Sequence, residues 1–385
     1  MIGEAVGLVS VAIWLYLLAF RGGFWRIRLG GAEAAKGRIS ARSVAAVVPA
    51  RNEADVVGRA VSSLLAQEFD GRLHVYLVDD DSTDATVESA QRAVEVTGAK
   101  PRLTIVRARP LPTGWTGKVW AQAEGLRAAE SFAADYFLLT DADIEHSPRV
   151  LTELVGRAET GGYDLVSLMA RFSCTTWAER ALIPAFVFFF FMLYPPAWVA
   201  LRQRRTAAAA GGCMLVRREA LERIGGMTAI RTELIDDCAL AHAIKRGGAI
   251  WLGPAQATHS LRRYSGWRDL GGMISRTAFF QLRHSMVLLV ATLLGMTLTF
   301  LAPPLLVATG GWPALWGAGA WVLMSVAYWL TLRYYGRSPL WAPLLPAVAV
   351  FYMAATVHSA VQYWRGRGAL WKGRTQDSRV RSADG

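Results

Sequence analysis

The sequence predicts an α/β domain, a mainly parallel sheet covered by helices on both faces, carried between apolar helices at the two ends of the chain. Three observations carry this reading. Short apolar or β-branched runs alternate with segments of helical spacing between Ser43 and Met169. The runs end in acids, most sharply at Tyr136-Phe137-Leu138-Leu139-Thr140-Asp141-Ala142-Asp143. Apolar stretches of about 20 residues, the length that spans a bilayer as a helix, stand at both ends.

The first is Ile2 to Phe20, with Glu4 near its start. It has no basic region before it and no small-residue cleavage site, so it reads as a retained anchor (1–21). Arg21, Arg26, Arg28, Lys36, Arg38 and Arg42 follow, and the positive-inside rule puts what comes next in the cytoplasm. Three further candidate spans, Met286 to Ala308, Trp312 to Leu332 and Leu340 to Trp364, fill 285–365. Thr309-Gly310-Gly311 is uncharged and the next loop carries Arg333 and Arg337, which fits out, then in. Four simple spans would leave the basic tail (366–385, with Arg365, Arg367, Lys372, Arg374, Arg379 and Arg381 at or near it) outside. Either one candidate is re-entrant or interfacial, or the charge rule fails. The expected setting is a cytoplasmic membrane crossed several times, with the middle block on its cytoplasmic side.

The net charge of +12 with 53% hydrophobic residues fits apolar ends and basic loops. The arginines flank apolar segments, and no helix-turn-helix or zinc pattern appears, which excludes nucleic acid as the partner. Cys174, Cys213 and Cys238 have no C-x-x-C spacing and read as thiols of a reducing compartment.

In the middle block (43–260), Ser43 to Ala50 reads as a buried strand and Val56 to Phe69 as a helix capped by Asp55. His74 to Val78 is a second strand, ending in Asp79-Asp80-Asp81-Ser82-Thr83-Asp84, with Asp84 capping a helix from Ala85 to Thr97. Leu103 to Arg107 is a strand, and a helix runs from Trp115-Thr116-Gly117-Lys118 to Ala134. After the strand that ends at Asp141, Pro148 starts a helix to Gly161, and Tyr163 to Met169 is again a strand. Leu182 to Ala200, with Phe188 to Phe191 inside and Pro184, Pro195 and Pro196 interrupting, is nearly long enough to span, but crossing there would part the carboxylates on either side, so it reads as a helix in the headgroup layer or an acceptor-facing wall (about 178–200) ahead of a span. Ala209 to Arg218 is a glycine approach into a strand, Glu219 to Ile224 a short helix stopped by Gly225-Gly226, and Glu233 to Arg246 a helix opening on Asp236-Asp237. Residues 261–284 form an amphipathic connector.

Residues i and i+2 of an extended chain point to one side, so Asp141 and Asp143 can face one point. Two hard oxygen donors there suit Mg²⁺ or Mn²⁺ shared with phosphates; alone, the same pattern is a turn with solvated acids. In an α/β sheet, ligands bind beyond the carboxyl ends of the strands, where Arg51-Asn52-Glu53, Asp79 to Asp81 and Asp141/Asp143 all lie. Asp236 and Asp237 also read simply as partners of a helix dipole. His242 and His259 are weaker candidates for acid–base work, and Trp251 and Trp267 read as packing or interface residues.

The ordered set Val47-Val48-Pro49-Ala50-Arg51-Asn52-Glu53, Val78 to Asp84, Gly117-Lys118, Asp141-Ala142-Asp143, Gly211-Gly212 and Asp236-Asp237 resembles the family-2 inverting glycosyltransferases, over about Val44 to Gly253. Leu111 to Lys118, Leu234 to Leu240 and Arg276-Thr277-Ala278-Phe279 resemble its membrane-bound, hopanoid-associated branch. The resemblance implies a glycosyltransferase-A (Rossmann-like) nucleotide-sugar domain with terminal transmembrane helices. It implies nucleotide contacts at Pro49, Arg51, Glu53, Asp80, Lys118 and Asp141, with Glu53 and Asp80 at the base and ribose of a uridine nucleotide. It implies a divalent cation on Asp143 and Asp141, acceptor contacts at Gly211, Gly212 and Asp236, and Asp237 as general base. The usual Asp-Asp-Gly-Ser reads Asp-Asp-Asp-Ser here, which puts the turn at Asp81 in question. The Gln-x-x-Arg-Trp pattern of polysaccharide synthases is absent; Arg276 stands in that region and reads as a membrane-flanking residue. The implied activity is a single transfer from a UDP-sugar to a lipid; the rivals are a polyprenyl-phosphate glycosyltransferase using a UDP- or GDP-sugar, and an inactive scaffold.

Overall fold

The computed structural model describes residues 1–28, 42–97, 102–366, 370–371 and 374–375. Lys36 and Arg38, and Arg367, Lys372, Arg379 and Arg381 of the tail, lie outside the described residues. Two units interleave along the chain. One comprises Met1–Ile27, Cys174–Ala197 and Arg263–Ala369; the other comprises Arg28–Ser173, Trp198–Arg262 and Leu370–Gly385.

The second unit holds an eight-stranded sheet. Its strands are β1 (Ser43–Ala50), β2 (Arg72–Asp79), β3 (Leu103–Arg107), β4 (Tyr136–Thr140), β5 (Ile144–Glu145), β6 (Tyr163–Arg171), β7 (Cys213–Arg217) and β8 (Ala249–Ser260), in the order β3-β2-β1-β4-β7-β6-β8-β5. Every residue of β1 and β4 is buried, as expected of uninterrupted apolar runs in a sheet covered on both faces. The expectation of a mainly parallel sheet holds for β3-β2-β1-β4 and for β6 beside β8. It fails at β7, which runs antiparallel to both β4 and β6, and at β5 beside β8, so the sheet is mixed. The long β8 was not anticipated from the sequence: its run is broken by Gly253-Pro254 and a register shift against β6 between Met169 and Arg171. Pro49 sits in a central strand because the ladder to β4 stops at Val47–Leu139, leaving β1 partnered on one side there.

Helices α2 (Val57–Leu65), α3 (Thr86–Thr97), α4 (Gly117–Ala128) and α5 (Val150–Gly161) cover the sheet, and α7 (Pro196–Ala200), α8 (Arg218–Arg223) and α9 (Asp236–Lys245) come later in the chain. The buried residues of α2 (Val57, Ala60, Val61, Leu64) and of α5 (Val150, Leu151, Leu154, Val155, Ala158) recur at three and four. Asp55 does not cap α2; the N-cap is Val56, with no side-chain acceptor. Asp84 does act at the start of α3, its Oδ1 accepting from the Thr86 amide at 3.1 Å while Oδ2 accepts from the Ala54 amide at 3.1 Å. Helix α4 ends at Ala128, six residues before the expected stop, because the chain turns through a 3₁₀ segment, Glu130–Phe132, into a left-handed Ala133.

The other unit contains α1 (Ile2–Phe20), α6 (Trp177–Leu193), α10 (Trp267–Gln281), α11 (Met286–Met296), α12 (Ala302–Val307), α13 (Gly311–Tyr334) and α14 (Leu345–Trp364). Four helical stretches, Ile2–Phe20, Met286–Val307, Gly311–Tyr334 and Pro339–Trp364, are long and apolar enough to cross a membrane. Helix α6 is not one of them. It has 17 residues, starts in a capping box of Thr176 and Glu179, and buries Leu182, Ile183, Val187, Phe188 and Phe191 inside this unit. Phe188 lies edge-on to Tyr328, Phe189 to Tyr352, and the Tyr352 hydroxyl donates to the Leu182 carbonyl at 2.8 Å. Pro303 has no N–H for the carbonyls one turn back; Trp14 Nε1 donates to Thr299 O and Ser10 Oγ to Leu298 O, each at 2.9 Å.

Helix α4 comes unusually close to the sheet at Gly125, where a Cβ would lie 2.4 Å from Val47 Cγ1 and 2.8 Å from Val78 Cγ2. Gly125→Val should therefore lower the unfolding midpoint by the equivalent of about 1–3 kcal/mol, as overpacking does. Chemical denaturation of the detergent-solubilised chain measures this; an unchanged midpoint would show that α4 can lift off the sheet freely.

Candidate functional site

The site is built at the carboxyl ends of β1, β2 and β4 and at the first turns of two helices, α4 and α9 (Asp236–Lys245). Lys118, the second residue of α4, joins them. Its Nζ lies 2.8 Å from Asp141 Oδ1, just past β4, and 3.3 Å from Asp236 Oδ2, the first residue of α9. The ammonium is only 17% exposed. Burial works against its charge, but Asp141 and Asp236 outweigh burial and hold its pKa above the ordinary lysine value. Gln122, one turn along α4, turns its amide toward Asp236 Oδ2 at 3.4 Å.

Asp237 faces the same cluster from α9. Its Oδ2 accepts from the Gly211 amide at 2.8 Å and its Oδ1 from its neighbour Cys238 at 2.7 Å. Gly211 is glycine for a steric reason: a Cβ there would stand 3.1 Å from Lys118 Nζ and 3.3 Å from Asp237 Oδ2. Gly212 answers to a different neighbour, since its Cβ would meet Ile144 Cδ1 at 3.0 Å, and its carbonyl accepts from Thr140 Oγ1 at 2.7 Å. Asp236 is turned to Lys118 and Gln122.

A second cation enters from the end of β8. Arg262 Nε lies 3.2 Å from Asp143 Oδ2, and its Nη2 lies 3.2 Å from Glu53 Oε1. The Leu261 amide donates to the Asp143 carbonyl at 2.7 Å, which pins the backbone beside it. Sequence reasoning missed Arg262. The signal was available in principle, as it lies two residues past a strand that runs parallel to β6, at the carboxyl-end position where such sheets gather ligands.

Arg51 closes the neighbouring turn. Its Nη1 donates to the Asp80 and Asp81 carbonyls and lies 3.9 Å from Asp80 Oδ2. Asp80 is buried. Asp81 stands where glycine is usual in the resembled family and adopts φ of 59°, so the turn keeps the left-handed conformation at the cost an aspartate pays there. Asn52, also left-handed at φ 52°, accepts from the Thr83 amide at 2.8 Å, and the Glu53 amide donates to Thr86 Oγ1 at 2.8 Å. These bonds lock the loops after β1 and β2 together.

Glu53, Asp141, Asp143, Asp236 and Asp237 thus come together, Asp80 lies in the adjoining turn beside Arg51, and the two histidines make their contacts elsewhere. His242 Nε2 lies 3.2 Å from Arg246 on α9, and His259 is paired in register with Glu145 between β8 and β5. Trp251 packs on the core under the guanidinium of Arg157, 4.0 Å from the ring centre. A cavity of about 540 Å³ on the opposite face of α4 is lined by Trp115, Trp120, Glu124 and Arg218 and contains none of the clustered acids.

Around the site, the carboxylates of Glu53, Asp141, Asp143, Asp236 and Asp237 meet the cations Lys118 and Arg262. The excess of negative charge shows in two groups. Burial, then the charge of Asp141, raises the Asp143 carboxyl to about 6, with Arg262 opposing. Burial, then Asp236, raises Asp237 to about 6, with Lys118 and the two amides opposing. Among the described residues no three His, Cys, Asp or Glu side chains form a ready metal cage. The donor set fits a hard divalent cation that takes one or two carboxylates from the protein and completes its shell with phosphate oxygens and water.

Residues 45–225 match the family Glycosyl transferase family 2. An N-acetylglucosaminyltransferase of Rhizobium leguminosarum bv. viciae is 27% identical over 143 residues, which are 36% of this chain and 31% of that protein; the match spans under a third of the relative's length. A mannosyltransferase from Pyrobaculum calidifontis, solved in complex with GDP-Man and Mn²⁺, superposes over 93% of this chain and 98% of its own at TM-score 0.52 and 18% identity. The fold is the glycosyltransferase-A fold, with apolar helices at both ends of the chain.

A charged Asp143 is disfavoured in the metal-free fold above pH 6, whereas the unfolded chain ionises it near 3.8 without that penalty. Asp143→Asn should therefore raise the unfolding midpoint at pH 8 in EDTA, by the equivalent of about 1–3 kcal/mol. The gap should stay open down to about pH 6 and close between there and 3.8, as the folded wild type and then the unfolded chain take up the proton. Denaturation curves across that range check the sign.

Proposed function

We propose that this chain is a membrane-associated inverting glycosyltransferase that moves one sugar from a UDP-sugar to a lipid acceptor, a hopanoid or related isoprenoid, at the cytoplasmic face of a bacterial inner membrane. The observation that carries the reading is the meeting of Asp141 and Asp143, just past β4, with Asp236 and Asp237 at the start of α9 around the largely buried side chain of Lys118. In this reading Pro49, Arg51, Glu53 and Asp80 hold the nucleoside, and the locked loops after β1 and β2 keep them in place. Asp143 and Asp141 would hold Mg²⁺ or Mn²⁺, which when bound would supply Lewis-acid stabilisation of charge on a diphosphate. Lys118 adds positive charge beside it. Four apolar helices and a net charge of +12 support a membrane setting, and with it an acceptor that partitions there.

The residues then divide the work. The two amides on Asp237 fix its carboxylate while leaving oxygen lone pairs for the acceptor hydroxyl. Gly211, bare at its α-carbon, leaves space between that carboxylate and Lys118. As the acceptor oxygen bonds to the anomeric carbon, its proton passes to Asp237 and the bond to the diphosphate oxygen breaks on the opposite face, which inverts the centre. A carboxyl raised to about 6 by burial is a better base than a solvated aspartate and is still ionised at neutral pH.

Asp237→Asn should lower kcat about 10²–10⁴-fold with donor affinity retained, while Asp143→Ala should lose metal-dependent donor binding. The wild-type kcat should fall as pH drops through about 6, where Asp237 takes up a proton. A scan of radiolabelled UDP- and GDP-sugars with extracted membrane lipid, read by mass spectrometry, checks this. A sugar polyprenyl phosphate as product would move the acceptor to that class. Full turnover by Asp237→Asn would remove its role as base. Failure to bind UDP or GDP under any metal condition would leave only a scaffold.

A further inference from the structure

We infer that Arg262 is a resident counter-cation of the donor site: it holds Asp143 and Glu53 while no donor is present, and it must release Asp143 before a divalent ion binds there. The inference rests on the proposed donor-site reading and adds a binding order to it. Both clustered cations hold a metal-site acid, but they are held differently. Lys118 is 17% exposed and tied to two acids that do not move apart without disturbing β4 or α9. Arg262 is 35% exposed and lies 3.2 Å from both Asp143 and Glu53, acids 14% and 15% exposed. Its backbone is anchored beside Asp143 by the Leu261 amide, so its guanidinium can leave Asp143 by a movement of the side chain while the backbone stays in place.

A guanidinium and a divalent ion repel each other and compete for the Asp143 oxygens. Metal alone must therefore break the Arg262 pair without offering the guanidinium a new partner. A nucleoside diphosphate offers one, because phosphate oxygens match the forked donors of arginine. Arg262 thus penalises metal binding in the absence of nucleotide, and the site selects the metal–nucleotide pair over metal alone. It is a positioning residue that acts through Asp143 and Glu53.

The test is Mn²⁺ titration of the full-length chain in detergent, read by the electron paramagnetic resonance of free Mn²⁺, with and without saturating UDP, and in parallel GDP. Without nucleotide, Arg262→Gln should bind Mn²⁺ about five- to tenfold more tightly than wild type, a coupling of ordinary size. Arg262→Lys keeps the charge but cannot bridge both acids, and should fall between the two. A residue that only shored up the fold would weaken Mn²⁺ binding when replaced. Equal or weaker Mn²⁺ binding by Arg262→Gln without nucleotide, or Arg262→Lys outside the interval, overturns the inference while leaving the donor-site reading intact. If no protein binds Mn²⁺ even with UDP or GDP, the donor-site reading falls and the inference with it.

Discussion

The placement of Lys118 is the constraint on which the site depends. Carboxylates withdrawn from water cost several kcal/mol each unless they are paired, and here they arrive from segments nearly a hundred residues apart in sequence. One ammonium touching both Asp141 and Asp236 ties the end of β4 to the start of α9. That position follows from the approach of α4 to the sheet at Gly125 and, on the other side, from the absence of a side chain at Gly211. The glycines and the acids therefore form one arrangement. A bulkier residue at either glycine displaces the charge that makes the acids tolerable together.

Much of this was legible because the central strands are buried on both faces. Such strands must be written in apolar residues without interruption, and β1 and β4 are. The direction of β7 was not legible, since Cys213 to Arg217 would read the same in either orientation. The chain reaches β7 only after a long excursion through α6 and α7 (Pro196–Ala200), a connection long enough to permit either direction. The acids were found because the ends of apolar runs mark where a sheet offers its ligands. Their individual partners were not, because the Arg262–Glu53 contact spans 209 positions and leaves no local pattern. Asp236 shows the same limit: two adjacent acids look equivalent in sequence, yet one turns to Lys118 and its neighbour to the Gly211 amide.

The apolar unit follows a related rule, applied to the backbone. A carbonyl buried among apolar side chains without a donor costs several kcal/mol, and the stretch Thr297 to Leu301 runs into Pro303 and Pro304, which have no N–H. Ser10 and Trp14, one helical turn apart on α1, supply donors to the carbonyls that result. The same restraint appears in α6, where Glu179 accepts from the amides of Thr175, Thr176 and Tyr264. Polar groups in both units sit where another part of the chain meets their bonding capacity.

The interleaving of the two units also governs how the molecule is born. A ribosome delivers β6 before α6, yet among the described strands β6 is flanked only by β7 and β8, which emerge afterwards. Until then β4 presents a bare edge toward the place β7 will fill, and β6 has nothing to pair with. Translation of the phenylalanine-rich helix therefore happens with the sheet half-made, and exposed strand edges are what nascent chains aggregate through. The most vulnerable moment for this protein falls during its synthesis, between the emergence of β6 and the completion of β8.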